Sequence, residues 1–334
     1  MIKQVIFIFI IILFLLSQFG CKKEENFQLH LAVEFTAHAA APHIARAKHW
    51  FKLEGLNIKT YDNYITGMAL ASALSRGDID AAYICLIPAI LAYKNGGVKL
   101  KVVCGTHLYG YGLVVNPKKI KQIEDLLKPE IKIACTREGS PTDALMNKMI
   151  EKCGFKKEIF EKKVLRMPPP KALLLLKTGQ IDAAWCCEQF PSMAVEAGFK
   201  ELFSAKDLWH EMQGSVLVVK EDLIKHHPDI VRKLVKITQK ATKYLHEHPD
   251  EASKIVAQQL TIAGKSVFPI KVSKIGKKFK VTPSAIKRAL FSRLNCTTEI
   301  NPKIVQQEID YMYELGYIKE KFKAQEILDL RFLK

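Results

Sequence analysis

The chain carries one short phrase twice, and any fold must account for both copies. Leu74-Ser75-Arg76-Gly77-Asp78-Ile79-Asp80-Ala81-Ala82-Tyr83 returns as Leu176-Lys177-Thr178-Gly179-Gln180-Ile181-Asp182-Ala183-Ala184-Trp185, with six of the ten positions identical. Each copy follows an apolar, helix-like run and breaks at a glycine, where a helix needs a left-handed residue. Each then enters a short buried-strand pattern. Each next meets a proline, Pro88 or Pro191, able to open the following helix. The repeat predicts two helix–strand–helix units, one in each of two similar lobes. A glycine between helix and strand is also a common α/β junction, so a chance likeness is the competing reading.

A chain of 334 residues accommodates two such lobes. Its hydrophobic content of 49% and charged content of 25% are those of a globular protein. The first twenty residues differ. A basic start at Lys3 leads into an almost wholly apolar run over 4–16, too short for a membrane span and suited to export. Gly20-Cys21 resembles a bacterial lipobox, although Gln18 stands where an aliphatic residue is usual. Residues 1–20 are therefore expected to be a signal peptide, Cys21 a lipidated N-terminus, and 21–27 a tether to the membrane. An ordinary secretory signal, or an uncleaved anchor, is the alternative.

The remaining cysteines, at 85, 104, 135, 153, 186, 187 and 296, are odd in number and irregularly spaced, which is no disulfide framework. No Cys-x-x-Cys pair marks a zinc or redox site. The net charge of +17 would steer anions or favour acidic head groups, or it reflects a lysine-rich coding bias. No basic stripe with interleaved aromatics points to nucleic acid.

Strand patterns at 29–35, 56–61, 81–85 and 100–105 alternate with helical runs, which implies parallel βαβ units. The glycines of Tyr109-Gly110-Tyr111-Gly112 mark a crossover, and the strand 113–115 follows. A helix is expected near 120–127, then strands at 131–135 and 164–167, and the helix from Lys171 into the second phrase. Residues 185–190 are expected as the loop after that phrase. The strand 214–219 is expected to pair with 113–115 and carry the chain back. Lobe 1 thus comprises 28–111, lobe 2 comprises 112–214, and 215–334 returns to lobe 1 and ends in helices with no strand signal.

Ligands in open α/β sheets bind beyond the carboxyl ends of the strands. That rule selects six loops, 36–38, 64–67, 85–87, 106–108, 139–142 and 187–190. The candidate ligand-binding residues are Thr36, His38, Tyr64, Thr66, Gly67, Cys85, Thr106, Ser140, Thr142, Glu188 and Phe190. Ser140 and Thr66 precede helices whose free N–H groups suit an anion, or they simply cap those helices. Glu188 suits an amino group or a protonated ring nitrogen, or it is an acid favoured by a helix dipole. His38 and His43, five residues apart, do not share a helical face, and no metal site is expected.

The chain also resembles a known family. Residues 45–58 (Ala-Arg-Ala-Lys-His-Trp-Phe-Lys-Leu-Glu-Gly-Leu-Asn-Ile), 74–82, Gly139-Ser140, 179–184 and the tail stretch 309–318 occur in the order found in substrate-binding proteins of nitrate/sulfonate/taurine-type ABC importers. That group includes binders of thiamine-pyrimidine precursors. The resemblance spans nearly the whole mature chain. It implies a type II periplasmic-binding-protein fold, two α/β lobes joined by a two-strand hinge with a helical C-terminal tail. It implies no catalysis and no cofactor. It also implies a monomer, on the outer face of the cytoplasmic membrane or in the periplasm, that hands a sulfonate-, nitrate- or pyrimidine-like solute to a permease, with ATPase subunits as further partners. Where the family often has tryptophan, an acid, proline and an aromatic, this chain has Cys187-Glu188-Gln189-Phe190, which leaves the ligand open.

Two other function classes remain. Thiamine-pyrimidine synthases share the fold and use cysteine-rich tracts, but only the Cys186-Cys187 pair is present here, behind an export signal. A ligand-sensing module bound to a receptor is the third. No nucleophile elbow, phosphate loop or zinc motif suggests another enzyme.

Overall fold

The computed structural model describes residues 27–267 and 281–334. The expected signal peptide, Cys21 and all of the tether but its last residue lie outside the described residues. Among the described residues eleven strands form two sheets. They are β1 (Gln28–Glu34), β2 (Asn57–Tyr64), β3 (Ala81–Cys85), β4 (Leu100–Tyr109), β5 (Tyr111–Val115), β6 (Ile133–Cys135), β7 (Val164–Arg166), β8 (Ala183–Cys187), β9 (Lys200–Ser204), β10 (Gln213–Lys220) and β11 (Leu294–Asn295). The first sheet has the order β11-β4-β10-β3-β1-β2, and the second β7-β6-β8-β5-β9. Without β11 the two orders correspond strand for strand. In each, three strands run parallel and the fourth is antiparallel to both of its neighbours.

Two expectations fail here. β5 and β10 do not pair with each other; β5 crosses into the second sheet between β8 and β9, and β10 returns between β3 and β4. Each sheet is thus completed by a strand that enters directly from the other. Nor is the tail free of strand, since Leu294 and Asn295 pair with Tyr109 and Leu108 of β4. Smaller differences follow from packing. Residues 123–127 form only a short 3-10 turn, β8 runs on to Cys187, and the helix Phe190–Glu196 starts where a loop was expected.

The doubled phrase occupies equivalent places, with β3 and β8 at the centres of their sheets. Gly77 and Gly179 both take positive φ, +89° and +71°, and end their helices or turns in the left-handed region. The shared aspartates explain why that residue recurs. Asp80 donates its N–H to the His30 carbonyl at 2.9 Å, and its Oδ2 accepts the His30 N–H at 2.9 Å. Asp182 makes the same pair with Lys132, at 2.9 and 3.0 Å. Each aspartate carbonyl then accepts from the antiparallel neighbour, Lys220 N–H at 2.9 Å or Asn116 N–H at 2.8 Å. Each therefore pins the start of two adjacent strands. The alanines that follow are fully buried and let helices pack closely on the sheet.

Asp182 is the more enclosed, its side chain 4% exposed against 22% for Asp80, and Lys119 Nζ lies 2.6 Å from its Oδ1. Asp182→Ala leaves a backbone N–H without its partner and is expected to cost about 2 kcal/mol; Asp80→Ala costs about 1 kcal/mol. Urea midpoints at unchanged slope report both values, and equal costs would contradict this assignment.

The C-terminal helices buttress both sheets. Helix Pro228–Glu247 buries Val231, Leu234 and Val235 in a core shared with Leu29, Leu31 and Val33 of β1. Thr238 Oγ1 lies 2.8 Å from the Tyr83 hydroxyl. Helix Pro283–Arg288 packs against Phe190–Glu196 of the second lobe. Among the described residues no helix is long and apolar enough to cross a membrane.

Candidate functional site

The carboxyl ends of β1, β3, β6, β7 and β8 converge on a cavity of about 330 Å³ between the two sheets. Glu34 ends β1, Cys85 ends β3 and Cys187 ends β8, and all three line it. Helix Gly67–Arg76 presents its N-terminus from the first lobe, and helix Pro141–Cys153 from the second. Thr66 caps the first by accepting the Ala69 N–H at 3.2 Å, and Ser140 caps the second by accepting the Asp143 N–H at 3.3 Å. A third helix, Pro169–Lys177, also points inward. Its opening prolines have no N–H, so Met167, Pro168 and Pro169 give an apolar wall rather than donors.

Five expected residues line this cavity: Thr66, Gly67, Cys85, Ser140 and Thr142. Six do not. Thr36 is buried and its hydroxyl has no partner among the described residues. His38 lies behind Cys85, with Nε2 2.8 Å from the Gly110 carbonyl oxygen. Tyr64 ends β2, with its carbonyl accepting the Phe35 N–H at 2.7 Å. Thr106 is covered by the tail, whose Thr297 N–H donates to its carbonyl at 3.2 Å. Phe190 belongs to the hydrophobic core, as does Trp185.

Glu188 is fully buried, and the peptide bond that follows it is cis. Its Oε2 accepts from Ser192 N–H and Oγ at 3.2 and 2.7 Å. Arg288 and Arg293 approach its Oε1 only to 3.7 and 3.8 Å, because both are drawn to Glu201. Burial consequently outweighs its partners and pushes the carboxyl up to about 7. The folded state thus holds a proton that the unfolded chain releases from about pH 4.5. The stabilising contribution is full below pH 4.5 and is lost as pH rises through 7, with a limiting slope of about 1.4 kcal/mol per pH unit. Glu188→Gln is expected to remove this component from the pH–stability profile. Identical slopes in variant and parent between pH 4.5 and 7 would contradict it.

The two walls of the cavity differ in character. The first lobe supplies Glu34, 3% exposed, whose Oε1 accepts the Cys85 N–H at 2.6 Å. Its Oε2 accepts from the Cys85 thiol at 3.1 Å, and burial pushes the carboxyl up to about 7. The second lobe supplies hydroxyls and cations. Thr136 Oγ1 meets Thr142 Oγ1 at 2.5 Å and also bonds Ser140 Oγ. Arg166 is held at the rim by Asp143 at 2.6 Å and the Thr136 carbonyl at 2.8 Å, with the exposed Arg137 beside it. Met68, Pro88, Tyr111 and Pro141 add apolar surface. Such a space is chemically suited to a small organic molecule with an apolar body, a donor group toward Glu34 and an acceptor or anionic group toward the second lobe.

Glu34, Arg166 and Thr136 were absent from the expected set. Glu34 had a signal, being an acid that closes an otherwise buried strand. Arg166 had little, because only the fold brings β7 beside β6.

The sequence profile of the NMT1-like family matches residues 22–261. The chain belongs to the NMT1-like family. No curated protein sequence matches it. Solved structures do. The periplasmic aliphatic sulphonate binding protein SsuA of Escherichia coli shares 17% identity, with a TM-score of 0.69 over 90% of this chain and 96% of that one. The periplasmic nitrate-binding protein NrtA of Synechocystis shares 15%, with a TM-score of 0.71 over 92% and 87%. A Candida albicans protein described as having the generic periplasmic binding protein structural fold shares 14%, with a TM-score of 0.64 over 91% and 96%. At these identities the likeness is one of fold. The type II periplasmic-binding-protein architecture expected for this NMT1-like chain is present, with two α/β lobes, two crossing strands and a helical tail.

Proposed function

We propose that this NMT1-like chain is the extracytoplasmic solute-binding component of an ABC importer. It captures a small organic solute between its lobes and delivers it to a permease that works with ATPase subunits. The observation that carries the reading is the cavity lined from both sheets at their carboxyl ends, with two capped helix N-termini facing into it. Periplasmic proteins of the same fold that bind sulphonate or nitrate support it. The volume favours a sulfonate- or pyrimidine-like solute, since nitrate alone would fill one corner. Two strands linking the lobes provide a hinge that closes on the solute. The protein acts as a monomer, held at the outer face of the membrane by acyl chains on Cys21.

The test is a thermal-shift screen against alkyl sulfonates, nitrate, bicarbonate, aminopyrimidines and aromatic carboxylates. A ligand at a hundred times its Kd is expected to stabilise by about 2.7 kcal/mol, raising Tm by several degrees. No shift with any class would sink the reading. For the anchor, Cys21→Ala is expected to move the protein from the membrane to the soluble fraction; retention on washed membranes would overturn it.

A further inference from the structure

Three side chains meet at the floor of the cavity from separate parts of the sequence. Cys85 Sγ lies 3.1 Å from Glu34 Oε2 and 3.5 Å from His38 Nδ1. One donor atom from each residue lies within 4.8 Å of the other two, and all three residues are buried. Around a tetrahedral zinc ion, with bonds of about 2.0 Å to N or O and 2.3 Å to S, neighbouring donor atoms stand about 3.5 Å apart. The two distances to sulfur already stand near that spacing.

The supporting contacts suit ligation. His38 Nε2 faces the Gly110 carbonyl at 2.8 Å, which can only accept, so Nε2 carries the hydrogen and Nδ1 turns its lone pair to the cluster. Gly110 permits this approach, since a Cβ there would stand 2.7 Å from Nε2. The Cys85 N–H fixes the Glu34 carboxylate through Oε1 and leaves Oε2 toward the sulfur. The Tyr111 hydroxyl donates to the sulfur at 3.0 Å and would support a thiolate once an ion displaces the proton that burial and the neighbouring Glu34 otherwise hold on it. Glu34, Cys85 and Tyr111 line the cavity, so a fourth coordination position opens there. One sulfur, one imidazole and one carboxylate suit a borderline-soft divalent ion, whereas calcium and magnesium take oxygen donors.

We propose that Glu34, His38 and Cys85 form a three-ligand site for a zinc-class divalent ion, with its open position toward the cavity. This replaces the expectation of no metal, which weighed the lack of a Cys-x-x-Cys pair and the spacing of His38 and His43. His43 lies elsewhere, its Nδ1 3.2 Å from the Tyr61 hydroxyl. The ion would give a solute donor atom a direct anchor. That last step alone rests on the solute-binding reading; the three-ligand site does not.

The experiment strips the purified chain with a chelator and titrates it with zinc chloride, then cobalt chloride, without any solute. One ion per chain is expected, with a thiolate-to-cobalt charge-transfer band. Cys85→Ser should abolish the band and weaken zinc at least about tenfold, and His38→Gln should weaken it similarly. Cys153→Ser, at a half-buried cysteine away from the cavity, should change neither. Absence of saturable binding, a cobalt spectrum of the parent without sulfur ligation, or binding that survives both Cys85→Ser and His38→Gln would overturn the proposal. The parent spectrum decides even where a variant fails to fold. Since no solute is present, this outcome is independent of the solute screen.

Discussion

Asp143→Ala is expected to destabilise the chain by about 3 kcal/mol and to weaken solute binding about tenfold. Asp143 is fully buried at the start of helix Pro141–Cys153 and serves three partners. Its Oδ2 accepts from the Gly139 N–H at 3.3 Å and from the Tyr317 hydroxyl, and its Oδ1 holds Arg166 at 2.6 Å. Alanine removes both acceptor oxygens and all three interactions together. Breaking a buried pair costs about 3–5 kcal/mol. Arg166 is 31% exposed and recovers some hydration, which places the value at the lower end. The binding effect has a separate cause. Arg166 loses its tether at the cavity rim, and Tyr317 no longer ties the C-terminal tail to the second lobe. Denaturation and titration of a solute found in the screen check the two parts. A cost below about 0.5 kcal/mol would show that Asp143 is no such hub.

The second large effect is expected at Gly67. Its backbone has no positive φ, so space rather than conformation requires glycine there. A Cβ at this position would meet Glu34 Oε1 at 2.4 Å and Pro88 Cγ at 2.8 Å. Glu34 cannot yield without giving up the Cys85 N–H, and Pro88 belongs to the buried helix Leu86–Lys94. Gly67→Val is expected to cost about 3 kcal/mol, the upper range for overpacking, and to abolish the solute-induced thermal shift. Gly77→Ala supplies the contrast. Gly77 has positive φ and nothing within 4 Å of a Cβ, so alanine there costs about 1 kcal/mol and leaves binding unchanged. Retained binding in Gly67→Val would remove Glu34 from the site.

The parts of the fold legible in the sequence are those set by local chemistry. Gly77 and Gly179 announce their turns because left-handed backbone excludes most other residues. Ser140 and Thr66 announce helix starts because a hydroxyl satisfies an orphan N–H. The exchange of β5 and β10 was not legible. Both are apolar runs, and an apolar run states that a strand is buried without naming its neighbour. β9 stayed hidden because it is a short edge strand that opens on two charged residues, Lys200 and Glu201, and so shows no buried apolar run. The same division holds in the cavity. Glu188 stood in the right loop, yet Ser192, Arg288 and Arg293 surround it, and the arginines lie about a hundred residues further along the chain. Cys85 was legible as a strand end, but its proximity to Glu34 and His38 depends on three segments converging.

The strand exchange bears on the order in which a chain growing from its N-terminus acquires structure. The second sheet is built wholly from residues 111–204, one continuous stretch, and lacks no strand once that stretch exists. The first sheet is different. β3 and β4 come early, but the strand between them is β10, residues 213–220. Until that segment arrives, two apolar strand edges at the centre of the sheet stand unpaired, and helix Pro228–Glu247, which covers one face, is later still. The half of the protein synthesised first is therefore the half that finishes last. That interval of open edges is when the chain is most exposed to wrong pairing. It is also when the chain is most easily kept unfolded by anything that must thread it through a pore.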